Sequence, residues 1–295
     1  MAAKIIDGKK IAEEIKHEVK HKTLQLKSDK GIIPGLAFIL VGDNPASQSY
    51  VKSKNKACEE VGFFSLTEKL PVSTSEDDVV KLIHKFNYDN KIHGILVQLP
   101  LPNHINEQNI LEAIDYRKDV DGFHPVNVGK LVIGQDCLKP CTPAGIQELL
   151  IRSRIDISGK HVVVAGRSNI VGKPIANILL QKRKGANAVV TIAHTGAGDL
   201  SYYTKQADIL IAAIGKPKII TSDMIKPGAV VIDVGINRVP DAASQKGYKI
   251  VGDVDFESVI KVASAITPVP GGVGPMTIAM LLSNTLKAAE TLTYY

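Results

Sequence analysis

Tyr50 and Lys54 are two residues with chemically useful side chains, and they lie four positions apart. This spacing places both side chains on one face of a helix, which we predict to begin after the apolar strand 36–41. In open α/β sheets, ligands bind beyond the carboxyl ends of the strands, so both side chains could serve a ligand site. The alternative is a solvated helix face, because Lys52 and Lys56 lie close by.

Gln98 is a polar residue at the end of a third apolar strand, predicted over 94–99. Neighbouring parallel strands end at the same edge of a sheet, so the Gln98 side chain could reach Lys54. The alternative is that Gln98 is only a local hydrogen-bond partner.

Asp119 and Asp121 lie in a polar stretch that leads to Gly122. Both aspartates could simply structure the turn at this glycine. Asp121 is also placed to offer a carboxylate to a donor-rich heterocycle at a joint between two domains.

A short apolar run, 162–165, precedes a turn that contains Gly166 and Ser168 and a helical pattern from Gly172. Strand, glycine turn and helix in this order build a phosphate site, because N–H groups at the helix start point at the anion and glycine lets it approach. Ser168 stands where the common dinucleotide fingerprint has its second glycine. A tight turn without a ligand is therefore the alternative.

The same region indicates which nicotinamide coenzyme would bind. NAD-binding domains of this kind place an acidic residue at the end of the second strand, where it binds the ribose. This chain has His194 and Thr195 there, while Arg167 follows Gly166 and offers a cation for a ribose 2′-phosphate. The sequence therefore favours NADP over NAD.

Composition limits the class of protein. The 295 residues are 44% hydrophobic and 22% charged, as expected for an enzyme with one large or two ordinary α/β domains. We find no apolar run long enough for a membrane span and no apolar core of a secretory signal at the N-terminus. The three cysteines cannot all pair, so we expect reduced thiols and a cytoplasmic protein without a metal-ligand cluster.

The net charge of +6 is weak evidence for nucleic-acid binding in this chain. Its lysines are dispersed, tryptophan is absent and aromatic residues make up 5%, which leaves little for base stacking. The dense basic cluster 182–184 follows the helix after the glycine turn, where cations complement the helix C-terminus. A positive surface for a small anionic substrate or cofactor is the better interpretation.

Helix and strand patterns alternate along the chain, which indicates parallel sheets covered by helices. An irregular joint follows residue 117, so we predict domains at 1–121 and 122–295. In the second domain we predict strands at 162–165, 188–193, 208–214, 229–234 and 249–251. Beyond them, one segment could lie against a flat ligand or act as a hinge: Pro270, Gly271, Gly272, Val273 and Gly274.

Five motifs spread over nearly the whole chain resemble those of the bifunctional methylenetetrahydrofolate dehydrogenase/cyclohydrolase family. They are YVKSK at 50–54, GILVQLPLP at 94–102, KDVDG at 118–122, GRSNIVGKP at 166–174 and PVPGGVGPMT at 268–277. Together they are highly specific. The resemblance implies an α/β protein with an N-terminal folate-binding catalytic domain and a Rossmann-type coenzyme domain, whose last helix, about 276–291, returns to the first domain. It also implies a homodimer.

The resemblance further implies the reaction: NADP oxidises 5,10-methylenetetrahydrofolate to the methenyl cation, which is hydrolysed to 10-formyltetrahydrofolate for one-carbon metabolism and purine biosynthesis. Lys54 would be the general acid/base, Gln98 its hydrogen-bond partner, Tyr50 a stacking wall and Asp121 the pterin anchor. The coenzyme residues would be Gly166, Arg167, Ser168, Thr191 and Ile232. The folate-binding residues would be Tyr50, Val51, Lys52, Ser53, Lys54, Val97, Gln98, Leu99, Asp121, Pro270, Gly271, Gly272, Val273 and Gly274.

One departure from the family concerns the coenzyme. Relatives often carry a basic or hydroxyl residue after the pair that ends the second strand, whereas this chain has 196–198 as Gly-Ala-Gly, which weakens the NADP prediction. Three other functions are alternatives: a dehydrogenase without hydrolysis, a Schiff-base lyase that uses Lys54, and a nucleic-acid-binding protein. The intact set of Tyr50, Lys54 and Gln98 argues against the first, and the glycine turn argues against the second. Steeply salt-dependent DNA binding would indicate the third.

Overall fold

The computed structural model describes residues 3–244 and 247–292, which form two compact units. Each unit is named after the number of strands in its main sheet. Of the described residues, the three-stranded unit comprises 13–141 and 278–292, and the six-stranded unit comprises 3–12, 142–244 and 247–277. These bounds differ from the boundary at residue 121 inferred from sequence, so that boundary stays a prediction.

The elements alternate much as the sequence predicts. In chain order they are β1 (Lys4–Ile5), α1 (Gly8–Lys30), β2 (Gly35–Val41), α2 (Pro45–Val61), β3 (Phe64–Leu70), α3 (Glu76–Tyr88), β4 (Gly94–Val97), α4 (Glu107–Ala113), α5 (Pro125–Val132), α6 (Cys141–Arg152), β5 (His161–Ala165), α7 (Gly172–Leu179), β6 (Val189–Ala193), α8 (Leu200–Thr204), β7 (Ile209–Ala212), β8 (Val230–Asp233), β9 (Asn237–Pro240), β10 (Tyr248–Val251), α9 (Phe256–Val259), β11 (Ala265–Ile266) and α10 (Val273–Leu292). Among the described residues, no helix combines the length and apolar character that a membrane span needs.

The three-stranded sheet has the order β3-β2-β4, and both pairings are parallel. All residues of the central strand β2 are buried, which explains its continuous apolar sequence. The Asn44 side chain then begins α2 by accepting hydrogen bonds from the N–H groups of Ala46 and Ser47, at 2.9 and 3.2 Å. This cap starts α2 at the carboxyl edge of the sheet, where a ligand site is expected.

The six-stranded sheet has the order β1-β11-β8-β7-β5-β6, with parallel pairing throughout. The strands predicted at 162–165, 188–193, 208–214 and 229–234 are β5 to β8 of this sheet. Chain order reverses between β5 and β7, since β5 has β6 on one side and β7 on the other. Such a reversal marks the place where ligands bind in open α/β sheets.

Three features of the fold differ from the sequence-based expectation. The strand predicted at 249–251 is β10, but it pairs antiparallel with β9 outside the main sheet. Helix α5 lies in a stretch that we expected to be irregular. The sequence feature that marks its start is His124 before Pro125, because the His124 ring caps the helix by accepting a hydrogen bond from Val126 N–H at 3.1 Å. The two-residue strands β1 and β11 are too short to show a period.

His93 makes the stability of the three-stranded unit depend on pH. This residue is 9% exposed, and its Nδ1 accepts a hydrogen bond from Gly35 N–H at 3.0 Å. Burial, and next the positive charge of Lys118, lower the pKa of His93 from 6.5 to about 4. The unfolded chain therefore binds more protons between these values, and stability falls as the pH is lowered through this window.

We predict that His93→Asn reduces this pH dependence, because asparagine can still accept the Gly35 hydrogen bond but does not titrate. Between pH 7.5 and 5, the free energy of unfolding of the wild type should fall by about 1–2 kcal/mol more than that of the variant. Urea unfolding at several pH values measures this. The exposed substitution His21→Asn serves as the control, and equal pH dependence of wild type and His93→Asn would contradict the prediction.

Candidate active site

Lys54 and Gln98 meet at the carboxyl edge of the three-stranded sheet, as the strand-end argument predicts. Lys54 Nζ donates a hydrogen bond to Gln98 Oε1 at 3.1 Å, and both side chains are half-buried. Gln98 is held on two further sides, since its backbone N–H donates to Ile39 O at 2.9 Å and its Nε2 donates to Leu99 O at 2.8 Å. The amide oxygen is therefore left to orient the lysine ammonium group.

Asp121 belongs to the same cluster. Burial raises the pKa of its carboxyl group, and the positive charge of Lys54 is the main influence that opposes this rise. Burial also means that the charge of Lys54 acts on this carboxyl group in surroundings that screen it poorly. Lys54, Gln98 and Asp121 together are called the lysine cluster below.

Asp119 builds the turn that carries Asp121. It is 1% exposed, and its carboxylate accepts hydrogen bonds from Gly122 N–H at 3.1 Å, His124 N–H at 2.8 Å and Asn127 Nδ2 at 2.9 Å. Gly122 has a φ of 74°, a conformation that favours glycine. The turn-forming alternative thus describes Asp119, while the carboxyl group of Asp121 is subject to the positive charge of Lys54.

Two residues beside Asp121 were missed from the sequence: Cys141 and Asn284. The Cys141 thiol donates to Val120 O at 3.2 Å, and Asn284 Nδ2 donates to Val120 O and to Lys139 O, both at 2.8 Å. Burial, and next the negative charge of Asp121, raise the pKa of the Cys141 thiol well above its usual value, so it stays protonated. The contacts of Asn284 also confirm that the last helix returns to the N-terminal domain.

The remaining residues expected at a folate site differ in exposure. Tyr50, one helical turn before Lys54, is 48% exposed and free to contact a ligand, whereas Val51 and Val97 are buried beneath the surface. Ser53 is exposed, and Leu99 is half-buried. Lys52 borders a separate hollow of about 500 Å³ on the β3 side of α2. Their contacts with a substrate stay predictions.

The glycine turn is closely packed. Gly166 has a φ of 136°, and a Cβ atom there would lie 2.1 Å from Ala213 O, while one at Gly172 would lie 2.2 Å from Gly166 O. The Ser168 hydroxyl accepts hydrogen bonds from Val171 N–H at 3.1 Å and Gly172 N–H at 3.3 Å, at the start of α7. Only glycine fits at these two positions, as in a dinucleotide-binding turn.

Arg167 and His194 come together at the ends of β5 and β6. Arg167 Nη1 lies 3.4 Å from His194 Nε2, and both side chains extend from the carboxyl edge of the six-stranded sheet. Thr191 lies further back in β6, where its hydroxyl is 2.9 Å from His161 Nε2, and Ile232 is fully buried in β8. The structure thus groups Arg167 with the glycine turn, and the contacts of Thr191 and Ile232 with a coenzyme stay predictions.

The segment 270–274 belongs to the six-stranded unit and is fixed at its first end. Lys9 N–H donates to Gly271 O at 3.0 Å, and a Cβ atom on Gly8 would lie 1.8 Å from Gly272 O. Gly271 has a φ of 107°, and Val273 begins α10. These contacts give the segment a defined backbone conformation.

A parallel sheet with a glycine turn at its point of reversal defines a dinucleotide-binding α/β domain. The model of the tetrahydrofolate dehydrogenase/cyclohydrolase NAD(P)-binding domain matches residues 140–293, and the model of the catalytic domain of the same family matches residues 6–121. The chain therefore belongs to the tetrahydrofolate dehydrogenase/cyclohydrolase family.

Known proteins of the family are similar over their full length. The bifunctional protein FolD of Syntrophus aciditrophicus is 62% identical over 290 residues, or 98% of each chain. The crystal structure of the bifunctional FolD dehydrogenase/cyclohydrolase from Campylobacter jejuni is 54% identical, with a TM-score of 0.93 over 99% of this chain and 100% of that chain. A Trypanosoma brucei FolD structure, complexed with NADP cofactor and inhibitor, is 39% identical, with a TM-score of 0.94 over 100% of both chains.

Proposed function

We propose that this chain is a bifunctional folate enzyme. It oxidises 5,10-methylenetetrahydrofolate with NADP to 5,10-methenyltetrahydrofolate, and it hydrolyses that product to 10-formyltetrahydrofolate. The observation that carries the proposal is the Lys54–Gln98 hydrogen bond beside Asp121, because hydrolysis needs a side chain that moves protons. Membership of the family and the similarity to bifunctional relatives support it.

The oxidation step depends on positioning more than on an acid or a base. Hydride leaves a carbon flanked by two nitrogens, whose lone pairs stabilise the cation that forms. NADP, when bound, supplies the acceptor for this hydride. Gly166, Arg167 and Ser168 fit a dinucleotide, because the turn leaves no space for a Cβ atom and carries a cation for an extra phosphate. The turn residues would hold the coenzyme phosphates, and Asp121 would anchor the pterin ring.

The hydrolysis step needs two proton movements. Water adds to the methenyl carbon and loses a proton, and the bond from that carbon to one ring nitrogen then breaks while the nitrogen takes up a proton. The Lys54 amine performs both transfers, and Gln98 keeps it in position through the 3.1 Å hydrogen bond. A spectrophotometric assay of NADP reduction with methylenetetrahydrofolate, followed by loss of the methenyl absorbance, tests both steps.

Lys54→Met should separate the two activities. Methionine keeps the apolar length of the side chain but removes the amine, so we expect hydrolysis to fall by ~10²–10⁴-fold while oxidation persists. Both rates are measured on one preparation, with uncatalysed hydrolysis subtracted. Lys56→Met, on an exposed position of the same helix, is the matched control. Normal hydrolysis in Lys54→Met would remove this residue from the mechanism.

Asp121→Ala should weaken both activities together, because both reactions use the same anchored pterin ring. The loss of a charged hydrogen-bond partner should cost about 1.5–3 kcal/mol in folate binding. The KM values for both folate substrates measure it, with the exposed Asp136→Ala as the control. Unchanged KM values and rates would show that Asp121 is no anchor.

Arg167→Ala should change the choice of coenzyme. Only NADP carries the 2′-phosphate, so its binding should weaken by about 1.5–3 kcal/mol, or roughly tenfold to a hundredfold, while NAD binding changes little. The dissociation constants of both coenzymes are compared with those of Arg183→Ala, which removes an exposed cation elsewhere in the same unit. Equal losses for NADP and NAD would leave Arg167 a structural residue of the turn.

The family resemblance also supports a homodimer joined through the coenzyme domains and a cytoplasmic location. The division of labour is between a catalytic domain at 1–121 and a coenzyme domain at 122–295. Light scattering of the purified chain tests the dimer by its mass in solution.

A further inference from the structure

Two buried aspartates in the six-stranded unit lie outside the set of residues named so far for the proposed reaction. Asp233 ends β8 and is 3% exposed, and Asp253 follows β10 and is 0% exposed. Each carboxylate lies against a glycine that is one or two residues from the other aspartate. A Cβ atom on Gly252 would be 1.7 Å from Asp233 Oδ2, and one on Gly235 would be 2.2 Å from Asp253 Oδ1. The segments 233–235 and 252–254 therefore interlock, and neither glycine can be replaced without displacing a carboxylate.

Asp233 fixes the backbone on both sides of this interlock. Its Oδ1 accepts hydrogen bonds from Gly235 N–H at 3.0 Å and Asp253 N–H at 2.9 Å, and its Oδ2 accepts one from Val254 N–H at 3.0 Å. Both carboxylate oxygens are thus used by the backbone. The consequence is a fixed position for Asp253.

Asp253 in turn holds the loop that follows β7. Its Oδ2 accepts hydrogen bonds from Ile214 N–H at 2.6 Å and Gly215 N–H at 2.8 Å, and its Oδ1 accepts one from Asn237 Nδ2 at 2.9 Å. Further along, Lys218 N–H donates to Gly252 O at 3.0 Å. The start of the loop is therefore held by the Asp253 carboxylate, and its later part is held by the backbone of the neighbouring Gly252.

This loop forms one side of the glycine turn. Ala213 N–H donates to Ala165 O at 2.8 Å, and Ala213 O is the atom that excludes a Cβ from Gly166. Strand β5 ends at Ala165 and strand β7 at Ala212, and the two strands flank the point where the strand order reverses. The ligand of such a sheet binds between the loops that follow those two strands.

We propose that Asp253, oriented by Asp233, is a positioning residue of the coenzyme site, because its carboxylate fixes the loop at Ile214 and Gly215 beside the glycine turn. This inference rests on the proposed function, in which that site binds NADP. A negative charge close to a site for a polyanion opposes binding by its charge alone. Its effect on the loop backbone must therefore outweigh its charge if the carboxylate favours binding.

The test measures direct binding of the coenzyme to the whole chain. Calorimetry measures the binding of NADP, and coenzyme fluorescence measures that of NADPH. Asp253→Asn keeps the size of the side chain, but an amide cannot accept hydrogen bonds on both sides. We expect the dissociation constant for NADP to rise at least tenfold in this variant, with methenyl hydrolysis changed by less than twofold. A purely electrostatic effect would instead strengthen binding, because a negative charge is lost.

Asp255→Asn is the matched control. It removes the same charge two residues further on, where Asp255 makes an ion pair with Lys218 at 3.3 Å, whereas the N–H groups of Ile214 and Gly215 donate to Asp253. We expect its dissociation constant for NADP to stay within twofold of the wild type. Equal weakening in both variants would overturn the inference, as would unchanged or tighter binding in Asp253→Asn.

Asn237→Ala is a milder second variant, which keeps the test decisive if Asp253→Asn does not fold. It removes only the hydrogen bond to Asp253 Oδ1, so we expect NADP binding to weaken about two- to fivefold, and unchanged binding overturns the inference. A wild-type chain that binds no NADP would overturn the proposed function as well. If the wild type binds NADP and the variants bind it equally well, only the positioning role of Asp253 is overturned and the proposed function stands.

Discussion

Parallel pairing of strands is the constraint on which both candidate sites depend. It brings the end of β4 next to the end of β2, and therefore Gln98 next to the helix that carries Lys54. In the other sheet it places the ends of β5, β6 and β7 side by side, so that Gly166, Arg167 and His194 share one edge. The pairing of strands thus makes neighbours of residues that are far apart in the sequence.

Buried carboxylates then give each site its fixed loops. Asp119 accepts three hydrogen bonds in the turn that carries Asp121. Asp233 accepts three from the segments 233–235 and 252–254, and Asp253 accepts three, two of which come from the loop after β7. Removing a carboxylate from water is costly, and several N–H donors to each group offset that cost. An aspartate suits this task because its two oxygens accept from several directions on a short side chain.

The strands and the residues that share the carboxyl edge of a sheet could be predicted from the sequence, whereas individual long-range contacts could not. The apolar runs locate β5 to β8, and the common edge at which parallel strands end predicts that Gln98 lies near Lys54. No sequence pattern pairs β1 with β11, because each has two residues, or joins Asn284 to the backbone at Val120 across most of the chain. The interlock of Asp233 with Asp253 is equally hidden, since each looks alone like an ordinary strand-end aspartate. Such contacts depend on tertiary packing, which periodicity does not contain.

Charge within the lysine cluster couples its members. Burial raises the pKa of Asp121, and the positive charge of Lys54 is the main influence that lowers it again. Asp121 in turn helps to keep the Cys141 thiol protonated, because a second negative charge beside it would be poorly solvated. Replacing Lys54 removes a proton-transfer group and also the charge that supports ionised Asp121, so substitutions of these two residues should not be additive in folate binding.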